Sequence, residues 1–104
     1  MHWLTYVAFF FGGACLTNAV PHLVSGLTGR RFPTLFSRPV GVGLSSPLIN
    51  FLWGWANLVF AYLLLCCVGS FDIHDAGDMV SAGLGSIMIG QSLAQHFGKV
   101  AMAP

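Results

Sequence analysis

Residues 26–57 read GLTGRRFPTLFSRPVGVGLSSPLINFLWGWAN, and the fold turns on how this stretch is divided. An apolar run stops at Gly26 and Gly29. Arg30, Arg31 and Arg38 follow, interleaved with Pro33 and Pro39, and then Ser45-Ser46-Pro47 opens a second apolar run that carries Asn50, Trp53, Gly54 and Asn57. A serine before a proline is a strong helix start: the hydroxyl accepts a bond from an orphan N–H of the first turn, and proline has no N–H to leave unpaired there. The stretch before it is too polar and too broken by proline to continue a helix, so it separates two apolar segments.

Working outward, 56% of the 104 residues are hydrophobic and 7% charged, with a mean hydropathy of +0.78, far from the usage of a soluble domain. This predicts an all-α integral membrane protein, a single domain with three spanning helices at about residues 3–26, 47–69 and 79–97. At 1.5 Å per residue, segments of this size match a hydrocarbon core of about 30 Å. Trp3 and Tyr6 suit an interface, and Pro21 frees the Thr17 carbonyl, which neighbouring helices satisfy in membrane proteins. Residues 27–46 are expected as an interfacial or re-entrant loop, with Phe32, Leu35 and Phe36 alternating with the arginines in the headgroup layer. Gly13-Ala14-Cys15 is faintly similar to a lipoprotein cleavage site. Residues 1–11 hold no Lys or Arg, however, and the apolar run continues past Cys15, so the segment reads as a spanning helix.

All seven charges lie outside the long apolar runs, segregated by sign. Arg30, Arg31 and Arg38 occupy one connection, Asp72, Asp75 and Asp78 the other, where Asp75 or Asp78 is placed to cap the third helix, and Lys99 closes that helix. The basic bias of cytoplasmic loops puts the arginines, Lys99 and the C-terminus inside and the N-terminus outside. A net charge of +1 gives no field for nucleic acid. Cys15, Cys66 and Cys67 have no metal-type spacing and are expected as buried, reduced thiols.

Small residues recur along the helices. Ala8, Gly12, Cys15 and Ala19 share a flank of the first, and Ala82, Ser86, Gly90, Ala94 and Gly98 recur every four residues on the third, rows that let backbones approach closely. Gly12, Gly54, Ser86, Gly90 and Ala94 are therefore the expected packing positions, within one protomer or between copies. Asn50, Gly54, Asn57 and Ala61 form a stripe on the second helix with Trp53 beside it. Amides in a bilayer serve as inter-helix glue twice as readily as they line a functional site. His22, Asn50 and His96 are expected at one depth beneath the arginine loop, in a polar layer that Asn18, Trp53, Asn57, Gln91, Ser92 and Gln95 extend.

Several chemistries could use that layer. Axial ligation of haem by His22 and His96 is conceivable, but nothing else in the chain asks for a cofactor. Arg30, Arg31 and Arg38, followed by Ser45 and Ser46 at a helix start, suit an anion such as a phosphate-bearing headgroup, against the plainer reading of a positive-inside loop touching lipid non-specifically. Asn18, Asn57, Gln91 and Gln95 could line a solute path only in an oligomer, because three helices rarely enclose a pore. An outer metal site at His74 with Asp72, Asp75 and Asp78 is less economical than capping and solvation. Catalysis is weakest, with acids and histidines at opposite ends of the helices.

The Asn18-x-x-Pro21-His22 element, the Phe32-Pro33 turn with Phe36 and Pro39, the Gly-x-Gly-x-Ser-Ser-Pro run and the Asn50, Trp53, Gly54, Asn57 stripe resemble a group of small bacterial inner-membrane proteins of about this length. The resemblance covers residues 18–60; it implies a bacterial cytoplasmic membrane and brings no activity with it. The sequence thus points to a non-enzymatic packing or binding component, a homo-oligomer or subunit of a larger membrane complex in contact with lipids. A channel or transporter formed by an oligomer is the alternative, and a bis-histidine haem protein the third reading.

Overall fold

The computed structural model describes residues 3–102, which are all-helical: α1 (Trp3–Leu27), α2 (Pro47–Tyr62) with a single π turn (Leu63–Cys67) directly after it, and α3 (Ala76–Met102). Two stretches are long and apolar enough to cross a membrane, Trp3–Leu27 and Pro47–Cys67. At 25 and 21 residues they reach about 38 and 32 Å. α3 is longer, at 27 residues, but Gln91, Gln95, His96 and Lys99 make its second half too polar to join them.

The ends of the helices follow local chemistry. Pro21 sits inside α1 without ending it. The helix closes at Gly29, whose φ of 71° suits a residue without a side chain: Gly29 N–H bonds the Gly26 carbonyl at 3.2 Å and Arg30 N–H the Ser25 carbonyl at 2.8 Å. This pair of bonds, one nested in the other, is a Schellman closure. α2 begins with Ser46 as its cap, the hydroxyl accepting Ile49 N–H at 3.1 Å. Asp75 caps α3, with Oδ1 accepting Asp78 N–H at 3.0 Å, so the helix starts three residues before the expected position 79 and runs five beyond 97.

The chain divides into two compact units, one made of Met1–Asn18 and Asn57–Pro104, the other of Ala19–Ala56. In the first, α1 and α3 touch backbone to backbone. A Cβ on Gly13 would overlap the Ala82 carbonyl, and one on Gly85 the Phe10 carbonyl. The Thr17 and Ser86 hydroxyls are hydrogen-bonded, and Asn18 Nδ2 donates to Asn57 Oδ1 at 3.0 Å. Phe9, fully buried, sets its ring edge-on to Phe71 at 5.1 Å. Of the expected packing residues, Gly12 meets Leu65 and Ser86 meets Thr17, as close contact requires. Gly90 has only an ordinary contact at 3.5 Å to Thr17, and Ala94 is exposed. The close approach uses Gly13 and Gly85, one step off the expected rows, because only there do the backbones themselves meet.

Two further expectations are corrected. Asp78 is not solvated: it is 2% exposed, its Oδ2 accepts Asp72 N–H at 3.0 Å and its Oδ1 has no partner. The helix dipole explains how a carboxylate tolerates this place, since the positive end of α3 lies beneath it. The three thiols are free, but Cys66 and Cys67 are exposed on the chain's surface, outside its packed interior. They lie in the π turn, which contributes no buried residue.

A capped loop carrying three arginines

The second unit is built on the loop between α1 and α2. Phe32 and Ser45 pair as an isolated antiparallel bridge, with N–H to carbonyl distances of 3.2 and 3.0 Å. Thr34 fills the space beneath it. Its hydroxyl lies 2.6 Å from that of Ser45 and accepts Phe36 N–H at 3.0 Å, while its N–H is held by Ser37 Oγ at 3.1 Å. Ser37 returns a bond to the Thr34 carbonyl at 2.7 Å, which also receives Gly41 N–H at 2.9 Å. Thr34, Ser37 and Ser45 are all buried. The Arg38-Pro39 bond is cis, and a Cβ on Gly43 would overlap the Arg38 carbonyl, so the return of the chain after Pro39 requires glycine there.

Asn50 joins this loop to both helices. Completely buried, its amide nitrogen donates to the carbonyls of Phe32, Ser45 and Ser46 at 3.0, 3.2 and 3.0 Å. Its oxygen faces His22 Nδ1 at 2.8 Å. Because the nitrogen is committed to three acceptors, the oxygen must be the acceptor towards His22, which places the imidazole proton on Nδ1. The His22 ring also stands edge-on to Phe32 at 5.7 Å. Within the same unit α1 and α2 are in close contact: a Cβ on Gly54 would sit 2.6 Å from the Leu23 side chain, and one on Gly26 would reach the Phe51 backbone at 2.5 Å.

The loop's own polar groups thus point inward and are used. Arg30, Arg31 and Arg38 are exposed, and residues 19–56 contain no Asp or Glu to neutralise them. Ser46 stands with them at the surface, but its hydroxyl is the α2 cap, and Ser45 is turned inward to Thr34. In the same unit Phe36, Ile49, Leu52 and Trp53 line a groove of about 250 Å³, with the Phe36 and Trp53 rings perpendicular at 5.2 Å. Trp53, expected in a polar layer, is part of an apolar one. That contact joins residues far apart in sequence, and no local pattern announces it.

The expected polar layer is brought together in pairs. His22 meets Asn50 in one unit and Asn18 meets Asn57 in the other. Gln91, Gln95 and His96 are exposed on α3, the His96 ring against that of its neighbour Phe97 at 4.9 Å. His22 and His96 belong to different units. In the connection before α3 Asp72 Oδ1 accepts His74 N–H at 2.8 Å, and among the described residues no three His, Cys, Asp or Glu side chains are grouped as metal ligands are. In comparisons with known proteins, no protein-family model, curated protein or solved structure matches the chain.

Proposed function

We propose that this chain is a multi-pass membrane protein, a binding component without catalytic activity, which holds a phosphate-bearing anion on the arginine face of the capped loop at the cytoplasmic side. The observation that carries the reading is the split of polarity within residues 28–50. Thr34, Ser37, Ser45 and Asn50 are buried and satisfied by one another and by the backbone, while three guanidinium groups are left outside with no acid in their unit. A loop that only obeyed the positive-inside bias would need no such internal order. Guanidinium forks held on an ordered base suit phosphate, since less freedom is lost on binding. The Asn18–Asn57 bond favours glue over a solute path for that stripe, because each amide already has a partner.

The test is thermal unfolding of the chain in neutral detergent with added phosphatidylglycerol or inorganic phosphate. Stabilisation is expected from at least one of them, and it should vanish when Arg30, Arg31 and Arg38 are all changed to Gln. Equal stabilisation of parent and triple variant would remove the arginine face from the function.

A second reading, self-assembly, is favoured by the exposed end of α3, where Ala94, Gln95, Gly98, Lys99 and Met102 line an open groove of about 510 Å³ and a Cβ on Gly98 would meet nothing. Native mass spectrometry of the parent and of Gly98→Leu checks it: a multiple of the chain mass that Gly98→Leu reduces to one chain supports assembly through α3.

A further inference from the structure

We infer that the anion arrives as the head of a phospholipid, one of whose acyl chains lies in the groove formed by Phe36, Ile49, Leu52 and Trp53; the inference rests on the arginine-face reading above. One wall of the groove, Phe36, belongs to the loop that carries the arginines. Phe36 is two residues from Arg38 on the same ordered turn, whose Ser37 N–H bonds the Thr34 carbonyl at 3.3 Å, so one segment supplies both a wall of the groove and the backbone that carries an exposed arginine. The opposite wall, Ile49, Leu52 and Trp53, comes from the first turns of α2, whose start is fixed by the Ser46 cap and by Asn50. Phe36 is 61% and Leu52 51% exposed, a cost in water that contact with hydrocarbon removes.

Charge and shape agree on the occupant. A soluble anion would use the arginines and leave the groove empty. A zwitterionic lipid would fill the groove but bring its own cation to a face that already carries three positive charges and no negative one. An anionic diacyl lipid uses both, with its phosphate at the guanidinium groups and a chain running along the aromatic pair. Phe36 packs edge-to-face on Trp53, so the two aromatic rings form adjoining walls of the groove.

The experiment follows the fluorescence of Trp53 in the full chain with Trp3→Phe and Trp55→Phe, reconstituted in phosphatidylcholine vesicles. A minor fraction of either phosphatidylglycerol or phosphatidylcholine carries bromine on its acyl chains, and bromine quenches an indole it touches. Brominated phosphatidylglycerol is expected to quench about fivefold more effectively than the same fraction of brominated phosphatidylcholine, the enrichment due to one well-placed arginine. The excess should disappear in the Arg30→Gln, Arg31→Gln, Arg38→Gln chain. It should also fall in Leu52→Phe, which narrows the groove without changing charge, while far-ultraviolet circular dichroism shows unchanged helix content.

Equal quenching by the two brominated lipids, with arginine-dependent stabilisation by phosphatidylglycerol intact, overturns the chain-in-groove inference and leaves the anion site standing. Absence of any arginine-dependent effect of either phosphate source removes the underlying reading along with it.

Discussion

His22 Nδ1 and Asn50 Oδ1 lie 2.8 Å apart, and this bond ties the last turns of α1 to the first turn of α2 across 28 residues of sequence. Asn50 is also the donor to Phe32, Ser45 and Ser46, so one side chain fixes the loop's two edges and orients the imidazole. The relationship sets a hierarchy among the polar residues of the unit: Asn50 is the centre, and His22, Thr34 and Ser37 depend on the geometry it imposes.

Asn50→Ala should therefore be far more harmful than His22→Phe. The first leaves the His22 N–H unpaired and removes the side-chain bonds to three carbonyls, which keep only their backbone donors; the second leaves only the Asn50 oxygen unpaired. With about 1–3 kcal/mol for a buried group left unpaired, and partial relief from relaxation, the expected losses are about 3 kcal/mol and about 1 kcal/mol. Chemical unfolding in detergent micelles measures both, and the double variant should cost little more than Asn50→Ala alone. Equal losses in the two single variants would contradict the hierarchy.

The glycines of α3 make an internal control. A Cβ on Gly85 would collide with the Phe10 carbonyl, a backbone atom that cannot rotate away, whereas a Cβ on Gly83 would meet nothing. Gly85→Ala should lower stability by about 1–3 kcal/mol through overpacking. Gly83→Ala, two residues away, should raise it by up to about 1 kcal/mol, because alanine is the better helix former. Melting temperatures moving in opposite directions are the signature; an unchanged or raised melting temperature for Gly85→Ala would mean that α1 and α3 do not meet backbone to backbone at Phe10 and Gly85.

How far these features were legible in sequence depends on the distance over which they are determined. Gly29 and Ser46-Pro47 mark the end of α1 and the start of α2 through bonds spanning at most five residues, and the sequence locates both. Asn50 is legible as a polar residue needing partners, but its partners lie up to 28 residues away and were not. Asp78 looks like one of three loop acids until residues 69–75 fold back and bring the Asp72 amide to it. The choice of Gly13 and Gly85 over the neighbouring small residues is a matter of backbone approach, which a row of interchangeable Gly, Ala and Ser does not specify.

The arginine loop offers a kinetic test of its internal order. Trypsin cuts after Arg30 and Arg31 but not at Arg38, which precedes Pro39. Both sites are exposed, yet a protease must draw an extended strand into its cleft, so cutting reports the free energy of opening the loop. Thr34→Val keeps the shape and removes the hydroxyl that pairs with Ser45 and accepts Phe36 N–H. At about 1–1.5 kcal/mol for the lost bonds, cleavage should quicken about tenfold. The same rate in parent and variant would show that the loop is not held by its buried hydroxyls.

The buried carboxylate of Asp78 has a consequence that can be read at a single amide. Its Oδ2 is the acceptor for Asp72 N–H, a bond that folds the loop before α3 back over the first turn of that helix, while Asp75 supplies the cap itself. Removing the cap and removing the clasp should therefore be separable. Asp75→Ala should fray α3, at a cost of about 1 kcal/mol, and speed exchange at the Asp78 amide. Asp78→Ala should instead speed exchange at the Asp72 amide by about tenfold or more, since a bond to a charged acceptor contributes roughly 1.5–3 kcal/mol. Site-resolved hydrogen exchange distinguishes the two. If Asp78→Ala left the Asp72 amide as protected as in the parent, the fold-back would have to be held by the Phe9–Phe71 ring contact and the backbone bonds of Phe71 and Asp75, and Phe71→Ala would then be the variant to test.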